Sequence, residues 1–302
     1  MMFKYEIEQK SYTIGKYSIG GDPRKAPTAL AGSIFYLGQK NVFLDEKERV
    51  INKDFAENLI KKQEEMADKT GLIPLLDVVI STEQNINPII DFVFNMTETP
   101  ILVDAPTGDV KAKLIKYIGE TGGQKRVIYN SLTPESKEEE FQLLKENKFE
   151  NFILLALETA KWTTNARMDV INTLIQKAKA AKFVKSNFFI DCCVIDFTSL
   201  GLAMSAMEKT KNQYGFPVGS GAHNAVDTWR NLKSKFGDIK TYATIVASTI
   251  TLAAGADFVL YGPIKLAELV YPNVAFVKAA HSQLMFDEGK FAPPTHPVFK
   301  IG

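Results

Sequence analysis

The sequence predicts an α/β protein built as a single (β/α)8 barrel, the TIM-barrel fold, with a small hairpin before the first barrel strand. Short apolar runs alternate with amphipathic segments along almost the whole chain, and the alternation repeats eight times. A barrel of this kind takes roughly 250 residues, so the 302-residue chain is predicted to form one domain spanning residues 1–302. An open doubly wound sheet is the alternative, because it contains the same repeated units.

Runs of unbroken apolar character are typical of strands that are buried on both faces, as in a parallel sheet. The runs are 29–36, 74–80, 100–105, 126–131, 151–157, 187–194, 216–219 and 257–261. Before them, residues 12–14 and 17–19 flank Gly15 and predict a hairpin that closes the bottom of the barrel.

The segments between the strands have helical spacing and recognisable ends. Gly71 and Gly215 end two of them, and Ser136 has capping-box spacing before an apolar segment. The predicted helices are 54–69, 109–119, 136–144, 165–182, 200–214, 239–254 and 263–282. The tail after Gly289 is predicted to be irregular.

Composition argues against several classes of function. A net charge of +1 gives no basis for a nucleic-acid or acidic-lipid surface. The N-terminus lacks the apolar core of a signal peptide, and polar residues interrupt the apolar stretch 242–261, which predicts a buried helix leading into a strand and not a membrane span. Cys192 and Cys193 are neighbours, which disfavours a disulfide or metal site and favours a reducing, cytoplasmic setting.

Carboxylate and carboxamide residues stand where the predicted strands end, which is where barrel enzymes place their chemistry. In chain order these candidates are Asp77, Asp104, Asn130, Asp191, the loop Gly219-Ser220-Gly221, and Asn224. The sequence shows no His cluster, strand-end lysine or nucleophile elbow, which argues against a metal site, a Schiff-base aldolase and a serine hydrolase. Acids can accept the N–H groups of a pterin edge, and an Asn can both donate and accept, so a pterin pocket is predicted.

Each candidate also has a structural interpretation. Asp77 could cap a helix or bind backbone N–H groups, Asn130 could be a turn residue, and Asn224 could be the N-cap of a following helix. Asp104 and Asp191 are embedded in apolar strands, where an unpaired charge is costly, and this favours ligand contact. His223 is predicted to be a packing or surface residue.

The chain resembles the H subunit of tetrahydromethanopterin S-methyltransferase and its bacterial relatives, the methylcobalamin:tetrahydrofolate methyltransferases. The segments that carry the resemblance are TALAGSIFY (28–36), GLIPLLDVV (71–79), RVIYNS (126–131), PVGSGAHN (217–224) and DFVLYGPI (257–264). The resemblance implies that Asp104, Asn130 and Asp191 hold the pterin ring and that Asn224 bonds N5. Asp196 is the alternative to Asp191.

The resemblance further implies methyl transfer between tetrahydrofolate and methylcobalamin or another methylated corrinoid. The cobalt-binding pattern D-x-H-x-x-G is absent from the sequence, so a corrinoid protein is expected as a partner. A homodimer is implied by the family alone. The alternatives are tetrahydromethanopterin as the pterin, a condensing enzyme of the pterin-synthase type, and a non-catalytic subunit that docks pterin or a corrinoid protein.

Overall fold

The computed structural model describes residues 2–45, 50–183 and 185–302. Its central element is a closed barrel of parallel strands in the order β10-β11-β12-β3-β6-β7-β8-β9, which confirms the predicted fold class. The strands are β1 Ser11–Ile14, β2 Tyr17–Gly20, β3 Ala29–Ile34, β4 Phe43–Asp45, β5 Val50–Ile51, β6 Ile73–Val79, β7 Ile101–Asp104, β8 Val127–Leu132, β9 Asn151–Leu155, β10 Asn187–Asp191, β11 Val218–Ser220 and β12 Phe258–Pro263.

Helices surround the barrel and connect its strands. They are α1 Lys53–Thr70, α2 Ile86–Met96, α3 Gly108–Thr121, α4 Glu138–Glu146, α5 Thr164–Ala180, α6 Leu200–Tyr214, α7 His223–Asp227, α8 Leu232–Phe236, α9 Lys240–Ile250, α10 Ala267–Gln283 and α11 Val298–Ile301. Gly71 and Gly215 adopt left-handed conformations and end α1 and α6, as predicted.

Several helical segments differ from the sequence prediction. The helix α8 was not predicted, and α11 lies in the tail that was predicted to be irregular. No helix was predicted between the second and third barrel strands, where α2 lies. The capping-box prediction for Ser136 is wrong, because Lys137 is the N-cap of α4 and the Ser136 hydroxyl instead accepts from the N–H of Thr133 at 3.1 Å. The short helix α7 is also new, and Asn224 lies inside it, so Asn224 is not its N-cap.

The hairpin β1–β2 closes the N-terminal end of the barrel, as predicted. Ile14 and Ile19 are fully buried in the cluster of apolar side chains that fills the barrel interior. The barrel residues of this cluster come from successive strands: Ala29, Ala31, Ile73, Leu75, Leu102, Ile128, Ile153, Phe189, Phe258 and Leu260. Because strand residues alternate between faces, the next inward positions toward the C-terminal ends lie above this apolar floor.

A buried ion pair lies near the N-terminal end of the barrel. The Lys211 ammonium lies 2.7 Å from a carboxylate oxygen of Asp257, and both side chains are almost fully buried. The same carboxylate oxygen accepts the N–H of Val218 at 2.9 Å, which ties β11 to the residue that precedes β12. The Asp257 carboxylate therefore connects α6, β11 and the start of β12.

The apolar stretch 242–261 forms α9, a short 3-10 segment and β12, as the sequence predicts. The helix is only partly buried, since Tyr242, Val246 and Ile250 are exposed along one face. Within the described parts of the chain, none of the helices has the length and apolar character needed to cross a membrane.

Candidate functional site

A cavity of about 480 Å³ opens at the C-terminal ends of the barrel strands. Its lining residues come from seven barrel strands and from the loops that follow them. They are Ser33, Tyr36, Asp77, Val79, Asp104, Asn130, Ser131, Leu155, Asp191, Gly221, His223, Asn224, Asp227, Leu260, Gly262 and Pro263. The candidates Asp77, Asp104, Asn130, Asp191, Gly221 and Asn224, which were selected from the sequence, therefore share one cavity.

Three larger depressions lie on the outside of the barrel. They measure about 830 Å³ beside α1 and α2, about 640 Å³ beside α3 and α4, and about 540 Å³ beside α4 and the end of α5. All three lie between helices or beside them, away from the strand ends. The cavity at the strand ends is the better candidate because chemistry in barrels is placed at that end and because the acidic strand residues face it.

Strand register explains why these side chains meet. Ser33 on β3 pairs with Asp77 on β6, and Asp104 on β7 pairs with Asn130 on β8. Residues paired in register on parallel strands point to the same face of the sheet, which in a barrel is the interior. Val79, and not Asp77, pairs with Asp104, so Asp77 lies one inward position deeper than Asp104.

Asp77 is buried at the deeper level. The Ser33 hydroxyl donates to Oδ2 of Asp77 at 2.6 Å, while Oδ1 is buried and accepts no hydrogen bond within 3.5 Å from the described residues. Burial raises the pKa of Asp77 above its usual range, against the smaller lowering effects of Ser33 and the nearby Asn130 amide. Asp77 thus neither caps a helix nor binds backbone N–H groups, which removes both structural interpretations of this residue.

Asp104 ends β7 and is partly buried. Burial, reinforced by the nearby carboxyl of Asp77, raises the pKa of Asp104 to about 7, although Lys111 of α3 opposes the shift in part. Asp104 therefore keeps its proton to a higher pH than an ordinary aspartate does. Asn130, its register partner, lies within β8 just before an irregularity in the β8–β9 pairing and not in a turn after the strand.

Asp191 ends β10 and is held by the tight turn that follows. Its Oδ1 accepts the N–H of Cys193 at 2.7 Å, and burial raises its pKa to about 6. Arg167 of α5 is buried behind this turn and donates to the carbonyls of Cys192 and Cys193 at 3.2 and 3.3 Å. Both cysteines are free and buried.

Asp196 has a different role from Asp191. Its carboxylate accepts the N–H groups of Thr198 and Ser199 at 3.0 and 2.8 Å, just before α6 begins. It is not among the cavity-lining residues that the structure describes. Geometry therefore favours Asp191 as the acid of this strand at the site.

Asn224 is oriented by the loop after β10. Its Nδ2 donates to the carbonyl of Val194 at 3.2 Å, and a Cβ on Gly221 would approach that same Nδ2 to 2.9 Å. Gly221 therefore leaves the space that the Asn224 amide occupies. Within the described chain nothing donates to Oδ1 of Asn224, which is left as an acceptor at the cavity.

Gly219 and Ser220, which were also selected from the sequence, do not line the cavity. Gly219 faces inward but lies under the aromatic ring of Phe258, which a Cβ would approach to 2.6 Å. Ser220 is the next residue and faces the surrounding helices, because strand residues alternate. Only Gly221 of this loop reaches the cavity.

Several polar lining residues were missed by the sequence reasoning, namely Ser33, Tyr36, His223 and Asp227. Ser33 lies inside an apolar strand and acquires its role only through register with Asp77. His223 was interpreted as a packing or surface residue, yet it lines the cavity beside Asn224. Its position directly before the selected Asn224 was the one signal that could have identified it.

The charge of the cavity is one-sided. Asp77, Asp104, Asp191 and Asp227 line it, and among the described lining residues there is neither lysine nor arginine. Across residues 2–45, 50–183 and 185–302, no three His, Cys, Asp or Glu side chains are grouped so that they could hold a metal ion. The buried acids therefore lack a cationic partner from the described lining and suit a ligand that presents several N–H donors.

Comparisons with known proteins match nearly the whole chain. The family model of the tetrahydromethanopterin S-methyltransferase MtrH subunit matches residues 7–290. The H subunit of tetrahydromethanopterin S-methyltransferase from Methanothermobacter thermautotrophicus is 33% identical, over 99% of this chain and 100% of its own length. The H subunit of the putative methyltransferase mtx from Methanosarcina mazei is 30% identical over 98% of this chain and 99% of its own length.

Solved structures with the same fold include dihydropteroate synthases. The Yersinia pestis enzyme, solved with a pterin–sulfa conjugate, superposes with a TM-score of 0.64 at 11% identity, over 91% of this chain and 99% of that one. The Xanthomonas albilineans enzyme with 4-aminobenzoic acid gives a TM-score of 0.60 at 12% identity, over 92% and 99%. At these identities the likeness shows the fold alone.

Proposed function

The chain belongs to the MtrH family of tetrahydromethanopterin S-methyltransferase subunits, and from this premise we propose that it transfers a methyl group between N5 of a tetrahydropterin and a methylated corrinoid carried by a partner protein. One observation carries the proposal. Three buried or partly buried aspartates, Asp77, Asp104 and Asp191, converge on one cavity without a lysine or arginine among its described lining residues.

A pterin edge supplies the donors that this cavity calls for. The edge carries an amino group, ring N–H groups and a carbonyl, so a carboxylate can accept a pair of N–H bonds while Asn130 donates to the carbonyl. Each bond would compensate an acid that is otherwise poorly solvated. A ligand without such donors would leave the buried acids unpaired, at a cost of about 1–3 kcal/mol for each unsatisfied group.

Asn224 is proposed to form a hydrogen bond with N5 of the bound pterin. Its amide nitrogen is engaged by Val194, so its Oδ1 is oriented to accept a hydrogen bond from a protonated N5. Positioning of the two reactants is then the main contribution of the protein, since the methyl group passes directly between N5 and cobalt without a covalent enzyme intermediate.

The corrinoid is proposed to lie over the mouth of the cavity. A cavity of about 480 Å³ suits a ligand the size of a pterin, whereas a corrin macrocycle with its side chains is much larger. Such a donor has to approach from outside, on a corrinoid protein that docks at the strand ends. A homodimeric state and a cytoplasmic location complete the proposal and rest on the family resemblance and the sequence.

The names of the relatives favour tetrahydromethanopterin as the pterin, whereas the sequence resemblance alone favoured tetrahydrofolate. The two pterins share the ring edge that would contact the acids and differ elsewhere in the molecule. Isothermal titration with each pterin distinguishes them, and the preferred substrate is expected to bind at least tenfold more tightly, about 1.4 kcal/mol.

Methyl transfer by the purified chain tests the activity itself. With methylcobalamin and each tetrahydropterin, we expect formation of the N5-methyl product together with loss of the methyl–cobalt absorption. Asn224→Ala should lower the transfer rate by about tenfold to a thousandfold while preserving pterin binding through the aspartates. Pterin binding without transfer from free methylcobalamin or a methylated corrinoid protein would instead support the non-catalytic docking subunit.

A condensing enzyme of the pterin-synthase type is the competing activity for this fold. Such an enzyme would use lysine or arginine to stabilise a phosphate leaving group. The described cavity lining offers acids and amides in place of such cations. The lining therefore favours methyl transfer over condensation.

A further inference from the structure

We infer that His223 is a catalytic residue of the proposed methyl transfer, exchanging a proton with N5 of the pterin. The inference rests on the proposed function and adds a chemical step to it. Methylation of an N5–H group releases a proton, and the reverse reaction needs one. Neither orientation of the Asn224 amide provides a base strong enough to take up that proton.

The location of His223 fits this role. It is the first residue of α7, it precedes Asn224 directly, and both residues line the same cavity. Its side chain is half-buried, so it contacts the cavity and retains access to solvent. A proton taken from a ligand can therefore pass on to water.

The protonation of the imidazole ring follows from its hydrogen bond. Nδ1 of His223 lies 3.0 Å from the carbonyl oxygen of Leu260. A carbonyl only accepts hydrogen bonds, so Nδ1 carries the hydrogen, and in the neutral ring the lone pair is then on Nε2. No described residue forms a hydrogen bond with Nε2, which is free to act as the base.

The end of β12 is shaped around this ring. Gly262 has a φ of +85°, and a Cβ there would lie 3.0 Å from both Cβ and Cγ of His223. A side chain at position 262 would therefore be strained and would press on the imidazole. Leu260 and Gly262 together fix the ring by one hydrogen bond and by one close backbone approach.

The step balances in both directions. In methylation, the N5 lone pair forms the new N–C bond, the electron pair of the Co–C bond stays on cobalt, and the proton of N5 passes to Nε2 of His223. In demethylation, the imidazolium of His223 returns the proton to N5, which then leaves the methyl carbon as a neutral amine while low-valent cobalt attacks.

Other titratable groups line the same cavity and need to be distinguished from His223. They are Tyr36, Asp77, Asp104, Asp191 and Asp227. The strand aspartates Asp77, Asp104 and Asp191 are assigned to the N–H groups of the ring edge, and a carboxylate that accepts those bonds is a weaker proton acceptor. Rates at saturating pterin separate the two roles, because they report groups that titrate in the bound complex.

The test is the pH dependence of kcat in His223→Asn, measured in both directions with free methylcobalamin and cob(I)alamin. Asparagine keeps an N–H donor for the Leu260 carbonyl but cannot take up the proton. We expect kcat to fall about a hundredfold in both directions with pterin affinity within twofold. In the parent protein, methylation should weaken at low pH and demethylation at high pH, and both of these limbs should disappear in the variant.

Two further variants keep the test independent of folding. Added imidazole should raise the transfer rate of His223→Ala at least tenfold above the rate of the same variant without imidazole. Ser234→Ala, a change at an exposed position of the neighbouring helix α8, should retain the parent rate and pH profile. A His223→Asn rate within threefold of the parent rate, or a lower rate with both pH limbs intact, would overturn the role of His223. Absence of transfer in the parent protein would instead refute the proposed function, and the inference with it.

Discussion

Both ends of the barrel bury aspartates, but they treat the charge differently. Near the N-terminal end, Asp257 is paired with Lys211 at 2.7 Å and also accepts a backbone N–H. At the C-terminal end, Asp77, Asp104 and Asp191 face a cavity whose described lining contains no lysine or arginine. A buried charge that is compensated internally serves the fold, whereas buried acids that lack such compensation identify the place where a ligand is expected to supply it.

The largest expected effect lies at the compensated end. Asp257→Ala should lower the free energy of unfolding by about 3–5 kcal/mol, because the Lys211 ammonium would be left buried and unpaired. Urea denaturation measures the change. Glu65→Ala removes exposed ion pairs with Lys62 and Lys69 and should change stability by less than about 1 kcal/mol. Equal effects of the two variants would contradict the contrast between the two kinds of pair.

At the C-terminal end of the barrel, removing a buried carboxylate should increase stability instead of lowering it. Asp104→Asn should raise the free energy of unfolding at pH 8 by about 1–3 kcal/mol, because burial makes the ionised carboxylate unfavourable in the ligand-free fold. The pKa of Asp104 is raised to about 7, so this destabilisation grows as pH rises from about 4 to 7. The gain in the variant should therefore vanish near pH 4, and a constant gain at every pH would argue against ionisation as its cause.

Ligand affinity should show the matching pH dependence. The acids accept N–H bonds best when ionised, and the pKa values of Asp104 and Asp191 are raised to about 7 and 6. Pterin affinity is therefore expected to fall by about tenfold or more between pH 8 and pH 5.5. Titration calorimetry with Asp104→Asn should show weaker binding and lose the part of the dependence near pH 7. If pterin affinity does not vary with pH, the proposed hydrogen bonds between the aspartates and the pterin are contradicted.

The smallest expected effect on binding belongs to Asp196, which lies at the same end but outside the cavity lining. Asp196→Ala should leave the pterin dissociation constant within twofold, since its carboxylate binds the N–H groups that precede α6. Loss of these bonds should cost about 1 kcal/mol of stability. A tenfold loss of pterin affinity in Asp196→Ala would indicate that Asp196, and not Asp191, is the acid that binds the pterin.

Strand positions were predictable because strands buried on both faces read as unbroken apolar runs. Helix ends were less so. Gly71 and Gly215 punctuate α1 and α6 clearly, whereas the apparent cap Ser136 bonds within its own turn and leaves Lys137 at the helix start. Recognising a helix cap from residue spacing requires knowing where the preceding turn ends, and the spacing in the sequence does not show this.

The acids of the site were found because a carboxylate in an apolar strand is costly and therefore conspicuous. The residues that were missed or misplaced depend on neighbours distant in sequence. Ser33 matters through Asp77 on another strand, and His223 through the carbonyl of Leu260. Gly219 was selected for its loop, but the ring of Phe258 covers it. Register and packing decide all three cases, and both arise only in the folded barrel.

The hairpin that seals one end of the barrel has a kinetic consequence for the proposed reaction. Ile14 and Ile19 fill the base of the barrel, so a ligand reaches the cavity through the mouth at the strand ends. The larger corrinoid would dock at the same mouth. The smaller reactant must then enter first and depart last. Steady-state analysis should show a compulsory order, with excess corrinoid trapping the pterin already inside.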